Sequence, residues 1–357
     1  MEVSGRLRQD KMTLGQRMKA VMSGERPDRI PLMLSSLGFS AKTVGYPVAS
    51  MYDDPARSFW AQVRTNEMFG CEGSPTYLVY GAWEFGGEIR FPSSEWQQSP
   101  VVTRYPVQSE EDVERLRMPD VKAAGAIPLA TELYKLCERN HMPITPIVGS
   151  PLTVASGLCS VETICRWMMK KPDVANRLLR VATDFCLQMA EYWIETFGVK
   201  RVTPFIATPS ESNQVISPRH FQEFALPYLK ELHEKLLDMG TRRFMCHFCG
   251  DQNLNLPYYK ELPMGNGSLI SFGHEVDITT AIEYFGDTCT IAGNIEPRVI
   301  QTGTPEQVYE LSMQCIEKGK NAPRGYILMP GCELPPNSPP YNVYMMRKAI
   351  NDFGWYD

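Results

Sequence analysis

In Phe244-Met245-Cys246-His247-Phe248-Cys249-Gly250-Asp251 a histidine and a cysteine stand two residues apart, after an apolar run and before a glycine. Residues two apart in a strand point to the same side, so His247 and Cys249 converge on one point at the strand's C-terminal end. Imidazole nitrogen and thiolate sulfur are donors that zinc prefers. A third soft donor sits in a comparable context at Cys332, in Met329-Pro330-Gly331-Cys332-Glu333-Leu334-Pro335-Pro336. One nitrogen and two sulfurs leave a fourth position open, as in a catalytic zinc site rather than a closed structural one. Two other readings remain open: an ordinary buried His and Cys, and a cysteine nucleophile paired with His247. Against the nucleophile, Gly-Cys-Glu-Leu-Pro-Pro does not place the sulfur at a helix N-terminus, where its pKa would drop.

These residues need strands to position them. Strand-like runs occur at Ile30 to Ser35, Thr76 to Tyr80, Ile144 to Val148, Arg201 to Ile206, Arg243 to His247, Leu269 to Phe272, Cys289 to Ala292 and Tyr326 to Met329. They are short and apolar on both faces, as expected of parallel strands covered by helices. Helical stretches alternate with them. One opens at Ser217-Pro218 and runs through Phe221, Phe224, Leu229 and Leu232 to Gly240; another opens at Thr304-Pro305-Glu306 and carries Val308, Leu311 and Ile316 to Gly319. Eight such units in 357 residues fit an α/β fold of the closed (β/α)8 TIM-barrel type, a single domain over 1–357 with an N-terminal extension. Residues 81–119 break the rhythm with Gly86-Gly87, Phe91-Pro92, Ser99-Pro100 and Tyr105-Pro106, and read as an insertion over the barrel mouth.

Composition narrows the function. Hydrophobic residues are 43% and charged residues 22% of the chain, the balance of a globular protein with material for a core. With 36 Lys+Arg against 41 Asp+Glu, a net charge of −5 and no single-sign run, a nucleic-acid partner is not expected. No stretch approaches the roughly 18 apolar residues of a membrane span, and the N-terminus has no apolar signal core, so a cytoplasmic location is expected. The ten cysteines are scattered and expected to be reduced; Cys159, Cys165 and Cys186 read as small core hydrophobes.

His247-Phe-Cys-Gly, Pro330-Gly-Cys332, Arg26-Pro-Asp-Arg-Ile-Pro31, and Ile216-Ser-Pro218 followed by Phe221, Phe224 and Pro227-Tyr228 resemble the uroporphyrinogen decarboxylase superfamily. More narrowly they resemble its zinc-dependent, corrinoid-linked methyltransferase branch, from about Arg26 to the C-terminus. The decarboxylase itself is disfavoured, because Leu32-Met33-Leu34-Ser35-Ser36-Leu37-Gly38 offers no cationic clamp for substrate carboxylates. The resemblance implies zinc held by His247, Cys249 and Cys332. It also implies a corrinoid (cobalamin) carried by a separate partner protein, because the carrier signature Asp-x-His-x-x-Gly does not occur in the chain.

Within that branch the methyl group moves in either of two directions. It passes from a small-molecule donor to cobalt, or from methylated cobalt to a thiol such as coenzyme M or to a pterin. Three features favour demethylation of an O-methylated donor of the methoxylated-aromatic class. The thiol-methylating type usually continues Gly-Cys-Gly, whereas Cys332 is followed by Glu333-Leu334-Pro335-Pro336. Tyr77, Tyr80, Trp83, Phe85 and Trp96 supply aromatics near the mouth, for a flat ring or for packing of the insertion. Glu211, in Thr208-Pro209-Ser210-Glu211-Ser212-Asn213, reads as a fourth zinc ligand, as a proton donor or as a solvated loop charge. Glu211 is thus the catalytic candidate, and Tyr80, Asn213 and Glu333 are the substrate-binding candidates.

Asp251 and Gln252 are expected to orient His247. His274, Glu275, Asn294 and Glu296 follow later strands on the same face, whereas His141, His220 and His233 read as surface or packing residues. A non-catalytic tetrapyrrole or corrinoid binder is the remaining reading, and a homodimer is one assembly open to the chain.

Overall fold

The computed structural model describes residues 8–79 and 81–356. Among them the strands fall into two sheets. β1 (Glu88–Arg90) and β2 (Val101–Arg104) form an antiparallel hairpin inside the 81–119 segment. β3 (Phe205–Ala207), β4 (Met245–Phe248), β5 (Leu269–Phe272), β6 (Thr290–Ile295) and β7 (Tyr326–Pro330) run parallel, in chain order, with helices between them. Every residue of β5 and of β7 is buried, as the apolar-on-both-faces pattern requires.

The first three strand-like runs form no ladders; the first and third attach to the two edges of the sheet through isolated bridges. Pro31 accepts from Leu328 N at 3.0 Å and Met33 N donates to Leu328 O at 3.0 Å, which joins the first run to β7. Glu72 N donates to Leu32 O at 2.8 Å. Ile144 and Ile147 bridge to Val202 and Phe205. Thr76 to Val79 forms no ladder, and Tyr80 lies outside the described residues. Pro31, Pro75, Pro143 and Pro146 lack the N–H that a ladder needs. Pro204 delays the fourth strand, which begins at Phe205 rather than at Arg201.

Both expected helices form. Pro305–Gly319 starts with a capping box between Thr304 and Gln307. The segment from Pro218 to Asp238 carries a π-helical turn at Phe221–Ala225, just before Pro227. Burial alternates along β4: Cys246 and Phe248 are buried, with Phe248 stacked on Tyr259 at a 3.9 Å centroid distance, whereas Met245 and His247 are half-buried. The latter pair faces the barrel interior, which is thereby accessible from its ends.

An ionic lock ties the N-terminal extension beneath the barrel. Arg17, in the helix Leu14–Met22, is fully buried; its Nε meets Asp28 at 2.7 Å and its Nη1 meets Glu72 at 2.7 Å. Arg29 pairs with Asp10 at 2.8 Å and Glu72 at 3.0 Å, and Arg347 from the helix Pro340–Phe353 reaches Asp10 at 3.0 Å. No helix among the described residues is long and apolar enough to cross a membrane.

Candidate metal centre

β4 ends at Phe248, so His247 is on the last turn of pleat and Cys249 just past it; Cys332 follows β7 by two residues. Two glycines make the approach. Gly250 has φ 71°, and a Cβ there would meet Gln214 Oε1 at 3.0 Å. A Cβ on Gly331 would come within 2.8 Å of His274 N. The ligand atoms of His247, Cys249 and Cys332 all lie within 4.8 Å of one another. Among the described residues no fourth His, Cys or carboxylate joins that group.

The donor set fits zinc. The two Sγ atoms stand 3.6 Å apart, well beyond a disulfide bond, and both cysteines are free. Their hydrogen bond holds the Cys332 thiol below its usual range, helped by His247 and opposed by burial. The same hydrogen bond raises Cys249, together with burial and the negative charges of Cys332 and Glu275. A cation between the sulfurs replaces that shared proton and favours two thiolates. His247 Nδ1 lies 3.0 Å from Ser271 Oγ, which donates its own hydrogen to Cys246 O at 3.3 Å. Ser271 therefore accepts from Nδ1–H, and the lone pair is left on Nε2, a buried atom without a partner.

Ser271, rather than Asp251 or Gln252, thus orients the imidazole. Gln252 donates to Cys249 O at 2.9 Å and Thr208 O at 3.2 Å, and Asp251 accepts from Asn253 at 2.8 Å. The signal for Ser271 is its register opposite His247 across β4 and β5, which no local spacing carries.

Glu211 is no solvated loop charge: it is fully buried, accepting from Ser150 Oγ at 2.7 Å and Thr153 Oγ1 at 2.9 Å. Burial pushes its carboxyl up to about 7, against the lowering effect of those two hydrogen bonds. Its carboxylate does not join the three ligand atoms. Asn213 accepts from Leu254 N at 2.9 Å and leaves a buried, unpartnered Nδ2. The Glu333 carboxyl is pushed up to about 7 by burial, and its Oε1 has no partner. Glu275, beside the three candidate ligands, places its Oε2 3.4 Å from His274 Nδ1 and only 2.5 Å from where a Cβ on Gly273 would stand.

Of the aromatics read either as holding a flat ring or as packing the insertion, Tyr77, Trp83 and Phe85 are taken up in packing. Tyr77 is buried and donates to Tyr52 O; Phe85 packs on Phe185 at 5.1 Å and Trp83 on Phe91 at 5.8 Å. Trp96 is 69% exposed. Phe85 thus ties the segment to the helix Pro172–Phe197, and Trp83 packs within the segment.

The profile of the uroporphyrinogen decarboxylase (URO-D) family matches residues 13–353. The methylated-thiol–coenzyme M methyltransferase of Methanosarcina mazei is 29% identical over 62% of this chain, and the chain spans 58% of that relative's length. The methylcobamide:CoM methyltransferase MtaA of Methanosarcina barkeri is 24% identical over 96% of this chain and 98% of its own. Human uroporphyrinogen decarboxylase is 26% identical over 69% of this chain and 68% of its own. A solved methyltransferase from Methanosarcina mazei shares the fold, with a TM-score of 0.79 and 24% identity over 96% of this chain and 99% of its own.

Proposed function

The chain belongs to the uroporphyrinogen decarboxylase family, and from that premise we propose that it is a zinc-dependent methyltransferase passing a methyl group from the cobalt of a separate corrinoid protein to a small thiol. The observation that carries this reading is the open donor set of His247, Cys249 and Cys332 at the C-terminal ends of two barrel strands. It is supported by relatives whose names specify coenzyme M as the acceptor. When bound, zinc supplies a Lewis acid that lowers a thiol's pKa, so that thiolate is present at neutral pH.

The chain's own residues divide the remaining work. Ser271 fixes the tautomer and direction of His247, so that Nε2 faces the centre. Cys249 and Cys332 supply the two anionic donors. Glu275 Oε2, a buried oxygen that accepts no hydrogen bond and lies 3.4 Å from His274 Nδ1, is the acceptor for the proton that an incoming thiol sheds. Asn213 Nδ2 is a free donor for the polar end of the substrate. In the transfer the new sulfur–carbon bond forms as the cobalt–carbon bond breaks, with the electron pair left on cobalt.

The opposite direction, from an O-methylated aromatic donor to reduced cobalt, rests on one structural observation. Glu211 and Glu333 are carboxyls buried among protein atoms, which pushes each up to about 7, so a large fraction is protonated at neutral pH.

The test supplies methylcobalamin with coenzyme M, and in parallel reduced cobalamin with methoxybenzoates, following the cobalt–carbon absorbance. Thiol-dependent demethylation of cobalt, abolished in Cys249→Ala, is the expected result. Transfer from methoxybenzoates with no turnover of thiol would overturn the thiol reading.

A further inference from the structure

At the opposite end of the barrel from the metal centre lies a cavity of about 550 Å³, a size typical of small-molecule sites. Met18, Met22, Met33, Met142, Met245 and Leu269 line it. Unbranched methionines adapt to the shape of an inserted chain, and their concentration here makes a pliable apolar tube. Arg243 also lines it: the residue is half-buried and has no hydrogen bond or ion pair among the described residues. A partly desolvated guanidinium without a partner points to a missing anion. Lys19 adds a second unpaired cation at the rim. The opposing acids are the exposed Glu67 and Glu72, the latter already held by Arg17 at 2.7 Å and Arg29 at 3.0 Å.

We infer that this cavity binds a medium-chain aliphatic carboxylate, with its chain among the methionines and its carboxylate on Arg243. The ligand then lies directly beneath the metal centre. Met245 and Leu269 are register partners, and two residues further along the same strands His247 and Ser271 form the pair that orients the imidazole. Side chains two apart share a face, so the two pairs are successive layers of the barrel interior.

Sodium octanoate titrated calorimetrically into the full chain tests this, with octan-1-ol as the uncharged comparison. The wild type is expected to bind octanoate saturably at one site. Arg243→Gln should weaken octanoate about ten-fold or more while leaving octan-1-ol unchanged. Met142→Trp, or Met18→Trp from the helix side, should weaken both ligands by filling the tube; circular dichroism confirms that each variant is folded. Absence of saturable octanoate binding in the wild type overturns the proposal, and so does unchanged octanoate affinity in Arg243→Gln or in the folded filling variants.

Discussion

Ser271 is the part of the proposed metal centre whose removal is cleanest to interpret. Ser271→Ala deletes the acceptor for His247 Nδ1–H without touching a ligand atom. It should weaken zinc about 10–100-fold while the fold is retained, measured by competition with a chromophoric chelator. Cys332→Ala removes a donor outright and should leave the purified protein without stoichiometric zinc, read by elemental analysis. Glu211 makes a prediction about pH. Its carboxyl titrates at 4.5 when free and at about 7 in the fold, so the folded chain holds that proton more tightly. The resulting stabilisation is complete below pH 4.5 and is lost as pH rises through about 7, by up to roughly 3 kcal/mol. Glu211→Gln keeps a neutral group between Ser150 and Thr153; its thermal stability should therefore fall less than that of the wild type between pH 5 and pH 8.

At the scale of elements, the buried lock below the barrel is expected to matter more than any surface pair. Arg17→Met leaves the buried Asp28 carboxylate without its guanidinium and Glu72 with Arg29 alone. The expected loss is about 3–5 kcal/mol in urea unfolding, because a buried charge without its partner is costly. The same scale shows what was legible in the sequence. His247 and Cys249 were readable because period-two spacing at a strand end is a local property, and Cys332 because it repeats that context. The barrel was readable from alternating strand and helix patterns, supported by the fold shared with the solved methyltransferase. Ser271 was not, because register between β4 and β5 is set by packing across the sheet. The missing ladders trace to prolines whose effect on pairing depends on which edge they face. The three readings of Glu211 could not be narrowed from the sequence because nothing local announces that Ser150 and Thr153 will close over it.

Over the whole molecule the barrel has two chemically different ends. The C-terminal ends of β4 and β7 carry soft donors and, among the described residues, unpartnered polar atoms; the other end carries methionines and an arginine without an ion pair among those residues. The fold alone does not select the reaction, since a decarboxylase and thiol methyltransferases stand at similar identity to this chain. The proposed reaction therefore depends on the donor set, and on its open position being filled by a thiol. The most direct test is zinc-edge X-ray absorption of the metal-loaded protein before and after addition of coenzyme M. The account predicts two sulfur scatterers at rest and a third when the thiol is added. A spectrum that the thiol leaves unchanged, in protein carrying one equivalent of zinc, would contradict it.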